Sequence, residues 1–211
     1  MPNFLKDGPL DGPCLILTHG SGSPMDSTFL NTISSLLAGQ GIGVLRFEFA
    51  YMAARRTTGK KAPPPRADKL LGEFEAAVDD AGVKAPFIGG KSLGARVASM
   101  CADKLVATGK IGGLVCLAYP FHPTGRPDSL RTAHLMDIDF PALIVQGERD
   151  PFGTREEIAG YGLPETIEFH MAPDGDHDLV PRKKSGRSAL DNWQDAAVAV
   201  AAFIKRSADS T

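Results

Sequence analysis

The stretch Pro86-Phe87-Ile88-Gly89-Gly90-Lys91-Ser92-Leu93-Gly94-Ala95-Arg96 decides the fold, and it reads two ways. Gly-Gly-Lys-Ser resembles the end of a phosphate-binding loop. Such a loop needs a glycine, four residues, then Gly-Lys-Ser or Gly-Lys-Thr. Counting back from Gly90, the first glycine is missing, because Ala85 stands there and Pro86 follows. Proline also removes an N–H that a phosphate cradle would use. The apolar run reaches almost to Gly90, so there is no length left for a loop. The second reading fits. Gly90-x-Ser92-x-Gly94, set between a strand and a helix, has the pattern of a nucleophile elbow. Its glycines allow strand and helix to approach around a strained turn. The helix N-terminus favours negative charge developing beside the Ser92 hydroxyl. An ordinary turn with a capping serine would look the same until partners for Ser92 are found.

Outward from this turn, apolar runs alternate with amphipathic ones. CLILTHG (14–20) is short and continuously apolar, as a strand buried on both faces should be. A helix follows, stopped by Gly39 and Gly41. GVLRFEF (43–49), PFIGG (86–90), IGGLVCLAYP (111–120), FPALIVQGERD (140–150) and TIEFHMAP (166–173) read as further strands. Polar alternation in the last puts it at a sheet edge. Helices are predicted over 66–82, from Ser92 on, near TREEIA with Thr154 and Glu157 at capping-box spacing, and over 188–206. The patch AARRTTGKKAPPPR (53–66) reads as a basic, proline-rich surface loop. The sum is an α/β chain: a doubly wound, mainly parallel six-stranded sheet with helices on both faces. It is read as one domain over residues 1–211. In such sheets, sites form at the carboxyl ends of strands, where strand order reverses.

Bulk composition narrows the class. The 211 residues suit a single core, and 43% hydrophobic with 23% charged content is that of an ordinary globular protein. A formal net charge of −2 gives no pull toward nucleic acid or an anionic membrane. Cys14, Cys101 and Cys116 fall in apolar segments and read as buried free thiols. The N-terminal stretch lacks the apolar run of a signal peptide, and no stretch approaches a membrane span. A cytoplasmic protein, monomeric or homodimeric, is the expectation.

A serine nucleophile needs a base, and the base needs an orienting acid. In this fold the chain order is serine, acid, histidine, each just past a strand. Asp150 directly follows a predicted strand, and His177 lies a few residues past the last one. Asp150 alone also suits a turn residue before Pro151, and Glu148 is a substitute acid. Asp174, Asp176 and Asp178 surround His177, but no second histidine stands at ligand spacing, so a metal site is not expected. An oxyanion hole would take the Leu93 N–H and one from the loop His19-Gly20-Ser21-Gly22-Ser23, with Ser21 preferred and Gly22 as alternative. His19 reads as a structural hydrogen-bonding residue.

Together these residues resemble the α/β-hydrolase superfamily, and in particular its small, lidless, dienelactone-hydrolase-like branch. More narrowly they are similar to bacterial α/β-hydrolase proteins related to a testis-expressed protein and a chromatin-complex subunit. The matching segments are HGSGSPMDS (19–27), FEFAYMAARRTTGKKAPPP (47–65), GGKSLGARVAS (89–99), YPFHPTGRPDSLRTAHL (119–135), LIVQGERDPFG (143–153) and DGDHDL (174–179). The resemblance implies a minimal α/β-hydrolase fold, a Ser92–Asp150–His177 triad and no cofactor. It does not imply a substrate; from the triad chemistry the expectation is a serine hydrolase cleaving carboxylic esters or thioesters of small or extended acyl substrates through an acyl-enzyme. One departure is the serine itself, since dienelactone hydrolases use cysteine. Some relatives keep the fold without the triad, so a binding or scaffold protein is the rival reading.

The connection from Pro120 to Asp139 is about twenty residues, too short for a helical cap. An open site for small or extended acyl groups follows. Gly20 and Gly22 would lie against substrate. Lys91, Arg55, Arg56, Lys60, Lys61, Arg126 and Arg131 could ring the mouth and favour an anionic substrate, or be a solvated basic surface. His122 and His134 are candidates to line the pocket.

Overall fold

A computed structural model describes residues 3–209 of the chain. The sheet has seven strands: β1 (Leu5–Asp7), β2 (Cys14–Thr18), β3 (Gly43–Phe47), β4 (Phe87–Lys91), β5 (Gly113–Leu117), β6 (Ala142–Gly147) and β7 (Ile167–Ala172). Their order is β1-β3-β2-β4-β5-β6-β7. All neighbours are parallel except β1, which pairs antiparallel with β3 through Leu5 and Arg46. The six strands expected from sequence are present, and β7 forms one edge as its polar alternation requires. The seventh, β1, is three residues long and carries no apolar signal. Asp7 is fixed there by a side-chain ion pair with Arg46 at 2.8 Å.

The helices are α1 (Thr28–Gly39), α2 (Ala50–Thr58), α3 (Leu71–Asp80), α4 (Leu93–Ala107), α5 (Arg155–Ala159) and α6 (Ala189–Ala208). Strand side chains alternate between two cores. Leu15, Leu17, Val115, Leu117, Leu143 and Val145 face α1 and α6. Ile16, Ile88, Leu114, Cys116 and Ile144 face α3 and α4. Burial on both faces is why the central strands read as unbroken apolar runs.

The basic patch after β3 is not a plain loop. Residues 50–58 form α2, whose alanines and arginines are good helix formers. Gly59 ends it in the left-handed conformation, with φ of 67°. The helix expected over 66–82 begins as a single 3-10 turn (Ala67–Lys69) and becomes α-helical only from Leu71. The short helix α5 carries its capping box: Thr154 Oγ1 accepts from the Glu157 N–H, and Glu157 accepts from the Thr154 N–H. Among the described residues, no helix is long and apolar enough to cross a membrane. All three cysteines are buried and free.

Chain direction across the sheet reverses between β2 and β4. β3 lies on one side of β2, and β4 to β7 run out on the other. The loop after β2 and the turn after β4 therefore meet at the carboxyl edge of adjacent strands, where open α/β sheets form their sites.

Candidate active site

Ser92 occupies the single residue between β4 and α4. Its φ of 54° and ψ of −111° are strained for a residue with a side chain. The strain is held by packing. The Ser92 N–H donates to the Leu117 carbonyl at 2.9 Å, and the Arg96 N–H donates to the Ser92 carbonyl at 3.0 Å. A Cβ on Gly90 would lie 2.5 Å from the Gly94 carbonyl carbon. One on Gly94 would lie 2.7 Å from the His19 carbonyl oxygen. Both glycines are thus required by backbone contact, as the sequence pattern suggests.

The turn presents the Ser92 hydroxyl to His177. Ser92 Oγ lies 2.9 Å from His177 Nε2, and His177 Nδ1 lies 2.8 Å from Asp150 Oδ2. The three side chains come from positions 92, 150 and 177, after β4, β6 and β7. Asp150 is fully buried, while His177 keeps 22% of its side chain exposed. The carboxylate is saturated: Oδ2 also accepts from Gln146 Nε2 at 2.9 Å, and Oδ1 accepts from the Phe152 N–H at 2.9 Å. With Asp150 acting only as acceptor, the imidazole carries its proton on Nδ1 and turns a lone pair toward Ser92. Glu148, the substitute acid, is turned away; it accepts from Arg155 and from the Asp174 N–H.

Several groups position His177 that the motif pattern does not reveal. The Phe152 ring packs against the imidazole, with centroids 4.4 Å apart. Gly147 lets the His177 loop lie directly on the end of β6, since a Cβ there would sit 2.2 Å from the Asp176 carbonyl. Asn192, fully buried on α6, donates to the carbonyls of Pro173 (3.0 Å) and Leu179 (2.7 Å), on either side of His177. Trp193 Nε1 donates to the Asp178 carbonyl at 2.9 Å. The surrounding aspartates are engaged within the chain. Asp176 accepts from the N–H groups of Asp178 and Val180, Asp174 pairs with Arg149 and Arg182, and Asp178 pairs with Lys91.

The loop after β2 faces this constellation. Among the described residues, the N–H groups of Ser21 and Leu93 make no hydrogen bond within the chain; Leu93, first residue of α4, has no intrahelical acceptor. Gly20 is buried against Lys91 and Ser92, whereas Gly22 has open space around it. Helix α2 braces the loop from behind: Tyr51 Oη donates to the Ser21 carbonyl (3.2 Å), and Arg55 to that of Gly22 (3.2 Å). His19 is structural, as expected. It donates from Nδ1 to the Gly20 carbonyl at 2.7 Å and accepts the Phe49 N–H on Nε2. Burial lowers its pKa, which keeps it neutral.

Two clefts open on either side of Ser92, and Ser21 and Ser92 line both. One, of about 520 Å³, is walled by Phe29, Trp193, Val180, Lys91 and His177. The other, of about 630 Å³, is walled by Pro64, Met100, Phe152, Arg66, Arg96 and Arg131.

The basic ring expected at the mouth is largely elsewhere. Lys91 is 8% exposed and its ammonium sits 3.0 Å from Asp178, with the Phe29 ring below. Arg55 serves the loop backbone, and Arg56 is spent on Asp26 and Glu48. Arg126 is exposed and lines neither cleft. His122 lines neither cleft; it is buried, donating to the Pro123 carbonyl at 2.9 Å. His134 is half-buried, bonded to Ser99 at 2.8 Å, and lines neither cleft. Of the expected ring, Lys91 lines the first cleft and Arg131 the second, where it is joined by Arg66 and Arg96, which charge counting does not single out.

The fold recurs widely among solved structures. The chain is similar to Est1E from Butyrivibrio proteoclasticus, with 16% identity, 99% of this chain and 95% of that one covered, and a TM-score of 0.70. It is similar to a monoacylglycerol lipase from Paleococcus ferrophilus, at 15% identity over 98% and 99% of the two chains, TM-score 0.67. An esterase domain from a Rhodothermus marinus protein aligns at 16% identity over 96% and 92%, TM-score 0.65. In sequence, residues 11–205 match the alpha/beta hydrolase domain family, a span that runs from the approach to β2 into the last turns of α6. With sheet order, elbow and sequence match in agreement, this chain belongs to the alpha/beta hydrolase domain family.

Proposed function

We propose that the protein is a serine hydrolase cleaving carboxylic esters or thioesters through an acyl-enzyme. The observation that carries this reading is the relay of 2.9 Å and 2.8 Å contacts from Ser92 through His177 to the buried Asp150. His177 removes the Ser92 proton as Oγ attacks the acyl carbonyl. Asp150 holds the imidazole tautomer and stabilises its positive charge. The Ser21 and Leu93 N–H groups take the oxyanion, a donor of this kind being worth about 3 kcal/mol. His177 then protonates the leaving group, and water, activated by the same imidazole, releases the acid.

The rest of the reading concerns scope. The chain acts as one catalytic domain without a lid, in the small dienelactone-hydrolase-like branch of the superfamily. Between β5 and β6 the chain forms only a single 3-10 turn, Ala133–Leu135, which supports an uncovered site. Substrates are small molecules, no cofactor takes part, and the protein works in the cytoplasm as a monomer or homodimer.

A fluorophosphonate probe tests the reading. Folded wild-type protein should be labelled at Ser92, and Ser92→Ala should lose both the label and turnover of nitrophenyl and thioester substrates. Absence of labelling in folded wild-type protein would show that the relay is not a working nucleophile.

A further inference from the structure

The two clefts flanking Ser92 differ in charge. In the first, the Lys91 ammonium is already matched by Asp178. In the second, Arg66 reaches into solvent and is matched by Asp68 at 3.2 Å, but Arg96 and Arg131 have no carboxylate within ion-pair reach among the described residues. By contrast Arg46, Arg149 and Arg187, buried or half-buried, each meet an aspartate, and the half-buried Arg55 is bonded to the Gly22 carbonyl.

Arg96 and Arg131 are also poorly satisfied by neutral groups. The Nε of Arg96 is buried without an acceptor. Arg131 Nη1 has only the Pro120 carbonyl, at 3.5 Å. Burial lowers the Arg131 pKa, and the Arg96 charge lowers it further, so the two guanidinium groups sense each other. Like charges held together without a counter-ion are costly, and a bound carboxylate relieves both. Guanidinium forks suit a planar carboxylate better than lysine does.

Location gives the pair meaning. Arg96 lies one helical turn past Ser92 on α4, and its N–H bonds the Ser92 carbonyl. Leu93, Met100, Pro64 and Phe152 give the same cleft apolar lining for an acyl chain, beside the polar Ser21 and Asp68, the latter already paired with Arg66. His177, which must protonate the leaving group, lines the first cleft and not the second. The leaving alcohol therefore faces the first cleft and the acyl chain the second.

We infer that Arg96 and Arg131 form a carboxylate-binding subsite, and that the favoured substrates are esters whose short acyl chain itself ends in a carboxylate. The reaction takes the anionic monoester of a dicarboxylic acid and water to the dicarboxylate, the alcohol and a proton, which leaves to solvent from His177. This inference rests on the hydrolase reading for turnover but not for binding.

The test compares the nitrophenyl monoester of glutaric acid with nitrophenyl pentanoate, which has the same chain length without the charge. In wild-type protein, kcat/KM should favour the charged ester at least tenfold, chiefly through KM, and the preference should shrink as salt rises. Arg131→Gln and Arg96→Gln should each cut that ratio at least fivefold, with Arg131→Lys retaining part of it. A wild-type ratio of one or less, or a ratio unchanged in both glutamine variants, overturns the subsite. Calorimetry of glutarate binding to Ser92→Ala gives a readout without turnover. Binding that weakens tenfold on adding Arg131→Gln upholds the subsite even if no ester is cleaved, and absence of binding overturns it. Circular dichroism of each variant confirms that the fold is kept.

Discussion

Gln146 and Asp150 are joined by a 2.9 Å hydrogen bond from the buried amide to the carboxylate oxygen that also meets His177. Gln146 sits one residue before the end of β6, and Asp150 in the turn that follows. The same amide nitrogen lies 3.2 Å from the carbonyls of Tyr119 and Gly153. The strand thus fixes the carboxylate, the carboxylate fixes the imidazole, and an amide with no part in the chemistry sets the angle of both.

Gln146→Leu should therefore lower kcat about tenfold to a hundredfold while leaving KM within about twofold. A hydrogen bond to a charged group is worth about 1.5–3 kcal/mol, and about 1.4 kcal/mol is a factor of ten. Steady-state kinetics on a nitrophenyl ester make the comparison. An unchanged kcat would mean that the Phe152 N–H suffices to hold Asp150.

Glycine substitutions should separate contact from conformation. A Cβ on Gly94 would meet Thr18 Cγ2 and the His19 carbonyl at 2.7 Å, both on the segment leading into the Ser21 loop. Gly94→Ala should cost about 3 kcal/mol, a loss of roughly 6–12 °C in Tm for a chain of this size. Gly72, exposed in the first turn of α3, has open space where a Cβ would stand, with nothing within 4 Å. Gly72→Ala should raise Tm by roughly 1–4 °C through the lower entropy of the unfolded chain. Scanning calorimetry of both variants decides; equal effects would contradict the packing argument.

Acid sensitivity should begin above the carboxylate range. Burial, then the Arg96 charge, pushes His134 from its ordinary value near 6.5 down to about 4. Burial likewise lowers His19 and His170. A histidine whose folded pKa is depressed binds its proton more readily when unfolded. Its stabilising contribution is complete above about pH 6.5 and is lost as pH falls from there toward about 4. Asp26, held low by its bonds to Arg56, adds a separate loss only below about pH 3.8. Denaturant midpoints between about pH 8 and about pH 4 should fall through the first window. His134→Gln, which can keep the bond to Ser99, should flatten it. A profile level down to the acid end of that range would contradict the assignment.

The legibility of this molecule follows from local chemistry. The central strands announce themselves because burial on both faces leaves an unbroken apolar run, as in Cys14–Thr18. The elbow is visible because backbone contact forbids side chains at Gly90 and Gly94. Asp150 and His177 are singled out by chain order together with their places just past predicted strands. By contrast, α2 is hidden: its sequence has one buried residue, Met52, so no apolar stripe marks it. β1 is hidden because an ion pair, not apolar burial, anchors it. Charge counting selects basic residues near the site without knowing which already have partners. Arg56 and Lys91 do; Arg96, two residues past the elbow motif on α4, has no carboxylate partner among the described residues. Pairing is a tertiary property, and it is what separates a binding cation from a structural one.

Asn192 shows the same kind of tertiary dependence in the positioning of His177. It is a polar residue inside a helical stripe. Its amide ties Pro173 and Leu179, bracketing the histidine loop, while its oxygen accepts from Arg187 at 2.8 Å. Asn192→Ala leaves two carbonyls without their donor, at a cost of about 1–3 kcal/mol. Tm should fall by roughly 2–12 °C. The activity loss should be separable from the stability loss. Assayed well below the new Tm, kcat should still drop about tenfold with KM little changed, because the imidazole is no longer held at Ser92. A Tm decrease with full kcat at low temperature would make Asn192 a stabilising residue alone, and would leave Trp193 and Phe152 as the groups that hold His177 in place.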